Sequence, residues 1–261
     1  MPETTESRKP YVIAIANEKG GVGKTTTTLS LGTILAERGH KVLFVDLDPQ
    51  GNLTLALGYK PHEMPTPNFA LATSGTIFAK DSFRTETEDL DLVFARSLIV
   101  DDNYQMQVSA TDDDYSLSQD LMIIRNLAYD YVIIDCPPAM GKIAISTLLV
   151  SDFLIIPSQA EFFSAFALKE MMELIGVVRQ NGNPDLPYRI LITLFDRRNR
   201  IHHSIKNQLK HTFGTGVFEN MIEIDTEMRK MAILGFPTKD TRGIKQYRKL
   251  VSELLEYIQK T

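Results

Sequence analysis

The sequence predicts an α/β fold, a mostly parallel twisted sheet with helices on both faces. Three observations lead to it. Short continuous apolar runs recur along the chain, as strands buried on both faces require. Segments of helical periodicity separate them, so that strand and helix alternate. A glycine-rich loop or an aspartate stands directly after several of the runs, where open α/β sheets bind ligands.

Residues 1–10 are a short polar lead, expected to be mobile, and residues 11–261 are expected to form one domain. Tyr11 to Ala16 reads as the first buried strand. It enters Ala16-Asn-Glu-Lys-Gly-Gly-Val-Gly-Lys-Thr-Thr26, where three glycines within four residues let the backbone curl and converge its N–H groups on one anion. The helix opening near Lys24 aims the positive end of its dipole at the same point. This is the pattern of a phosphate-binding loop, with Gly20, Gly21, Val22, Gly23, Lys24, Thr25 and Thr26 as the expected nucleotide contacts. Lys24 suits the β- and γ-phosphate oxygens, the Thr25 hydroxyl suits Mg²⁺, and a nucleoside triphosphate is the implied ligand. Glu18 stands where the usual G-x-x-x-x-G-K-[ST] pattern has its first glycine, and a second lysine, Lys19, follows it.

Thr25 to Arg38 carries apolar residues at Leu29, Leu31, Ile34, Leu35 and Ala36, with Gly39 as the stop, and reads as a helix packed on the sheet. Lys41 to Asp46 is the next strand. It runs into Asp46-Leu-Asp-Pro-Gln-Gly-Asn52, which has two readings: carboxylates at a ligand site, or an acidic turn that caps the following helix. Residues 59–120 are the least legible. Pro61, Pro65 and Pro67 interrupt any long helix, and from Asp81 to Asp120 eleven acids face only Arg84 and Arg96, which reads as an acidic solvated surface. Leu90 to Ala95 is expected as a strand. Tyr131 to Asp135 is an apolar strand ending in an aspartate, the place for a carboxylate that organises a metal. Cys136 reads as its buried neighbour rather than a nucleophile, since no partner histidine or second cysteine lies nearby. Phe153 to Pro157 and Tyr188 to Phe195 are further strands, separated by a helix from Ala165 to Gln180. A last amphipathic helix, Arg242 to Lys260, places Ile244, Tyr247, Leu250, Val251 and Leu254 on one stripe.

The formal net charge of −5 is unevenly spread. From Asp196 onward 13 Lys and Arg face 8 Asp and Glu, a net of +5, which leaves −10 for residues 1–195. Arg198, Arg200, Lys206, Arg229, Lys230, Arg242 and Lys245 therefore form a candidate basic face, of a kind that binds DNA phosphates without reading sequence; the bland reading is a solvated basic surface. The single cysteine rules out an intrachain disulfide and argues against an iron–sulfur cluster. No apolar run approaches about 18 residues and no secretion signal opens the chain, so a cytoplasmic protein is expected.

Taken together, Lys19-Gly-Gly-Val-Gly-Lys-Thr-Thr26, Asp46-Leu-Asp-Pro-Gln-Gly-Asn52 and Ile133-Ile-Asp-Cys-Pro-Pro138 resemble the ParA/MinD family of deviant Walker A P-loop NTPases, and within it the ParA/Soj-type DNA-partitioning ATPases. The resemblance implies a Mg²⁺-dependent ATPase that is slow without its partner, with ATP and Mg²⁺ as cofactors. It implies that Lys19 joins the nucleotide-binding set by reaching across an ATP-bound homodimer. Lys19, Lys24 and Asp48 then serve catalysis, with Asp48 positioning the attacking water, while Thr25, Asp46 and Asp135 serve the metal. Non-specific DNA and a ParB-like stimulating protein are the implied partners, and a nucleoid-associated location follows. Arg198 aligns with a family arginine implicated in DNA binding. The family's I-P-R-N-x-R-x-S-E-A segment is replaced by Ile222 to Ala232, so a second such arginine falls at or near Glu227, with Arg229 and Lys230 as substitutes. A MinD-like membrane anchor would be an extra basic amphipathic tail, which is not expected here. Two alternatives remain open: an ATPase that positions a protein assembly, with or without DNA as its track, and an amidoligase-type synthetase of the same fold.

Overall fold

Among the described residues seven strands carry the architecture: β1 (Tyr11–Ile15), β2 (Val42–Asp46), β3 (Phe83–Arg84), β4 (Leu90–Phe94), β5 (Tyr131–Asp135), β6 (Phe153–Gln159) and β7 (Tyr188–Thr193). They lie in the order β3-β4-β2-β5-β1-β6-β7. All neighbours pair in parallel except the two-residue β3, which runs antiparallel to β4. The computed structural model describes residues 9–48, 50–59, 83–84, 90–94, 118, 121–138, 141–162, 164–234 and 240–260. Most of the lead 1–10 and most of the acidic stretch 81–120 lie outside the described residues.

Alternation along the strands sorts the core into two layers. Val12, Ala14, Val132 and Ile134 point to one face, where they meet α3 (Lys142–Leu149) and α4 (Ser164–Gln180) through Ala144, Leu148, Leu168 and Met171. Ile13, Ile15, Phe44 and Ile133 point to the other, against α1 (Lys24–Glu37) and α7 (Arg242–Ile258) through Leu31, Ile34, Leu250 and Leu254. Helices thus cover both faces, as the apolar runs predict. Among the described residues three further helices, α2 (Asn52–Ala56), α5 (Arg200–Phe213) and α6 (Thr226–Leu234), follow the carboxyl ends of β2 and β7.

Two expected boundaries move. The strand expected to reach Phe195 stops at Thr193, because Leu194 turns to φ 50° and Phe195 then bridges to Glu223 instead. The last helix ends at Ile258, within the usual fraying of a helix end. Among the described residues no helix is long and apolar enough to cross a membrane.

The topology sets the site. The carboxyl ends of β1, β2 and β5 adjoin one another, and the strand-to-helix connection after β1 folds over them. The close seat of α1 on β2 depends on Gly32: a Cβ there would stand 2.2 Å from Phe44 Cε1 and 3.2 Å from Ile133 Cδ1. Gly32→Ala is expected to destabilise the fold by about 1–3 kcal/mol, although alanine is the better helix former by about 1 kcal/mol. Phe44→Leu in the same chain should recover part of that loss. Denaturant midpoints of the two single variants and the double variant measure it; Gly32→Ala as stable as the parent would remove the contact from the account.

Candidate functional site

The loop between β1 and α1 is pinned from behind. Gly21 and Gly23 take φ 73° and 89°, which residues with a Cβ rarely adopt. Asn17 Nδ2 donates to the Pro157 carbonyl at 2.6 Å, while its Oδ1 accepts from Lys19 N at 3.0 Å. Gln159 Nε2 donates to the Gly21 carbonyl at 3.0 Å, and Thr193 Oγ1 to the Val22 carbonyl at 2.8 Å. With these carbonyls engaged by β6 and β7, the loop offers its N–H groups. No side chain caps the start of α1 at Gly23, so the first-turn N–H groups and the positive end of the dipole are left for an anion.

Two carboxylates lie beneath that loop. Asp46 and Asp135 are register partners on adjacent parallel strands, and both are buried. Burial pushes the Asp46 carboxyl up to about 6, against the hydrogen bonds of Thr54. Burial, and then the charge of Asp46, raise Asp135 well above the ordinary carboxylate range. Asp135 accepts from Thr25 Oγ1 at 2.7 Å and Thr28 Oγ1 at 3.2 Å. Asp46 accepts from Thr54 Oγ1 at 2.7 Å, Thr54 N at 3.0 Å and Asp48 N at 3.2 Å. Asp46 thus holds the first turn of α2 through Thr54, and it stands at the carboxyl end of its strand, where the ligand reading places it.

Above them is a cleft of about 400 Å³. Gly20, Gly21, Gly23, Lys24, Thr25 and Thr26 form one wall, Asp48, Gln50 and Asn52 another, and Met231 of α6 closes a side. Asp48 accepts from Gln50 N at 3.0 Å and Asn52 Nδ2 at 3.3 Å. The Lys24 amine donates to the Lys19 carbonyl at 3.2 Å. Burial draws the pKa of Lys24 down, opposed by the charges of Asp135 and Asp48. Val22 is buried and holds its place through its carbonyl rather than a cleft wall. Lys19 takes no part in the walls. Its amine turns to Glu161 Oε2 at 2.6 Å and Gln159 Oε1 at 3.2 Å in the same chain. The residues fit a Mg²⁺ ion: among the described residues neither buried carboxylate is in an ion pair, Lys24 acting on Asp135 only through its charge, and the Thr25 hydroxyl is oriented in front of one of them. Among the described residues no cluster of three or more His, Cys, Asp or Glu could hold a metal by itself. That suits an ion bound chiefly by a hydroxyl, phosphate oxygens and water. Cys136, buried behind Asp135, has its thiol pushed up to about 12 by burial and by that neighbouring carboxylate, and is inert as expected.

The basic residues are less free than their number suggests. Arg198 is 92% exposed and leans on Asp196 at 3.4 Å. Arg200, Arg229 and Lys245 are exposed, and Lys206 lies over the Phe195 ring at 5.8 Å. Lys230 pairs with Glu227 at 2.7 Å, and Arg242 with Glu223 at 2.9 Å. Arg248 is tied to Glu37 and Asp240, and Lys210 to Glu219. His202 and His203 are not idle surface groups. His202 Nδ1 accepts from Asp196 N at 3.0 Å and His203 Nε2 meets the Arg197 carbonyl at 2.8 Å, which fixes the arginine loop on α5. Sequence reasoning missed Thr54, Thr193, Glu161 as the seat of Lys19, and Glu223; each acts across a turn or a large sequence separation that no local pattern encodes.

A second cleft, of about 280 Å³, opens at the opposite end of the sheet beside Tyr11, Tyr131 and Arg125. Its Asp152 is spent on structure, accepting from Val12 N at 2.7 Å and from Arg125 Nη1 at 2.8 Å.

Comparison with known proteins agrees with this geometry. A family model described as an AAA domain matches residues 10–188. The chromosome partitioning protein ParA of Caulobacter vibrioides is 32% identical over 250 residues, covering 94% of this chain and 93% of that protein. The sporulation initiation inhibitor protein Soj of Bacillus subtilis is 31% identical over 248 residues, covering 93% and 97%. Among solved structures, cobyrinic acid a,c-diamide synthase from Mycobacterium smegmatis, with bound ATP analog and magnesium, superposes with a TM-score of 0.80 at 29% identity, covering 95% of each chain.

The role of Thr54 can be tested without touching the loop. Thr54→Val preserves shape and the backbone donor but removes the 2.7 Å hydroxyl bond to buried Asp46. It is expected to cost about 1–3 kcal/mol, read as a lower denaturant midpoint at unchanged slope. A midpoint equal to the parent's would mean that the hydroxyl does not support the carboxylate.

Proposed function

The chain belongs to the ParA family of P-loop ATPases, and we propose that it is a Mg²⁺-dependent ATPase that dimerises around ATP and binds DNA without sequence preference as the dimer. A ParB-like partner stimulates hydrolysis and resets it, so that a chromosome or plasmid cargo is segregated or positioned. Its place is then the cytoplasm, in association with the nucleoid. The observation that carries this reading is Lys19: a lysine at the mouth of the phosphate loop that lines no wall of its own cleft and is held at the surface by Glu161.

Each step uses residues already placed. The loop N–H groups and the α1 dipole hold the phosphates, and the Lys24 amine neutralises their oxygens. Bound Mg²⁺ supplies Lewis-acid neutralisation of the transferring phosphoryl group. Thr25 is the hydroxyl that would hold the ion, with Asp135 and Asp46 behind it. Asp48, on the cleft wall, orients the attacking water. Its carboxylate is engaged by Gln50 N and Asn52 of its own loop, in keeping with slow turnover until a partner reshapes that loop. Lys19, released from Glu161, adds a second cation to the phosphates of the other subunit, which offsets the repulsion between two triphosphates facing each other. Arg198, Arg200, Lys206, Arg229, Lys230, Arg242 and Lys245 are the candidate DNA contacts.

The likeness to a diamide synthase raises the synthetase alternative. The Caulobacter vibrioides relative at 32% identity is a chromosome partitioning protein, which favours the positioning reading.

The test is oligomeric state and random-duplex binding measured with ATP, with ADP and without nucleotide. Dimer and salt-sensitive DNA binding are expected with ATP alone. Lys19→Ala should keep nucleotide binding within about tenfold while losing the dimer. A variant that still dimerises would remove the cross-subunit role, and a wild-type dimer that ignores DNA would move the function to positioning a protein assembly.

A further inference from the structure

Two stretches of the basic face far apart in sequence meet on one buried carboxylate. Glu223 is 3% exposed. Its Oε1 accepts from Arg197 Nε at 2.6 Å and its Oε2 from Arg242 Nη1 at 2.9 Å. Gln246 Nε2 donates to Oε1 at 2.8 Å and, in return, Gln246 Oε1 accepts from Glu223 N at 2.9 Å. Burial works to raise the Glu223 carboxyl, but the bonds from Arg242 and Arg197 outweigh it and keep it below the ordinary range, so it stays charged.

The two arginines are not consumed by this bond. Their side chains are 70% and 67% exposed. A guanidinium has five N–H donors in a fixed plane, and Glu223 engages only part of each set, which leaves outward N–H groups on both. One negative charge between two positive ones also leaves a net positive charge. Of the nearby acids, Asp225 accepts from Gly243 N at 2.8 Å and Glu227 N at 2.9 Å while its charge also acts on Arg242, and Asp196 accepts from Arg198 N at 2.9 Å and pairs with the Arg198 side chain. Arg198 and Arg200 continue the exposed positive charge from Arg197 toward α5. Fixing two long side chains in advance lowers the entropy lost when an anion binds between them.

We propose that Arg197 and Arg242, held by Glu223, form a two-arginine clamp for a phosphodiester group of the DNA backbone. This rests on the DNA-binding reading above and adds to it Arg197, which no motif singled out, and Glu223 as a positioning residue. Sequence-independent binding follows, because the clamp meets only phosphate.

The experiment is the salt dependence of binding to a random-sequence duplex of fixed length, with ATP, for the full chain. Each phosphate contact contributes about 0.9 to the slope of log K against log salt. Arg197→Gln and Arg242→Gln are each expected to lower the slope by about 0.9 per contacting protomer, with ATP-dependent dimerisation retained. Removing an arginine leaves Glu223 buried with fewer partners, so a triple variant, Arg197→Gln with Glu223→Gln and Arg242→Gln, guards against misfolding. It changes net charge by only one unit and should lower the slope by about 0.9 per contacting protomer, the value for the one phosphate that the clamp holds. A wild type that binds salt-sensitively while the variants keep its slope would overturn the clamp alone. A wild type that binds no DNA in any nucleotide state would overturn the DNA reading and the clamp with it.

Discussion

Burying Asp46 and Asp135 side by side is the constraint on which the ligand end of this fold depends. Parallel register places the two carboxylates on neighbouring strands at the same level, and water reaches neither. Paired negative charge in a poorly polarisable interior is costly unless donors and a cation answer it. The donors are present: Thr25 and Thr28 from α1 for Asp135, and Thr54 from α2 for Asp46. Each tie also fixes a helix. The carboxylates thereby set where α1 and α2 begin, and with them the two walls of the cleft. Lys24 is the nearest cation, and burial draws its own pKa down. The site is left short of positive charge, as a site built to receive a metal with its phosphates would be.

What the sequence made legible was local. Three glycines in four residues, an apolar run before them and a helical period after them are read within one window, and Gly21 and Gly23 have the positive φ that such a loop needs. The strands β1, β2 and β5, buried on both faces, announced themselves as short apolar runs. The illegible parts act at a distance. Lys19 meets Glu161 across 142 positions, and Thr193 supports Val22 across 171. Neither pair has a spacing rule. The stop of β7 at Thr193 was hidden for a different reason: Leu194 is a strand former by composition, and only its left-handed backbone ends the strand.

The basic end shows how far a charge count can mislead. Thirteen cations from Asp196 onward imply an open positive face, yet Arg248, Lys210 and Lys230 are each answered by an acid close by. Exposed pairs of this kind add little stability. Their effect is on the field, since a paired lysine projects less potential to an approaching polyanion than a lone one. Arg197 and Arg242 differ because their shared acid is buried at their backs, so the pairing orients the guanidinium groups without covering them.

The segment from Ile222 to Met231 connects the basic surface to the cleft. Glu223 gathers Arg197 and Arg242; Asp225 holds the first turn of α7 through Gly243 N and the first turn of α6 through Glu227 N; and Met231, two turns further on, forms part of the cleft wall beside the phosphate loop. These contacts are consecutive in the chain, and α6 spans the residues between them. This is also where the chain departs from the family's segment, with Glu227 at or near the place of its second DNA-binding arginine. Glu223 and Asp225 tie the basic surface to the starts of α6 and α7, and α6 is the helix that lines the cleft.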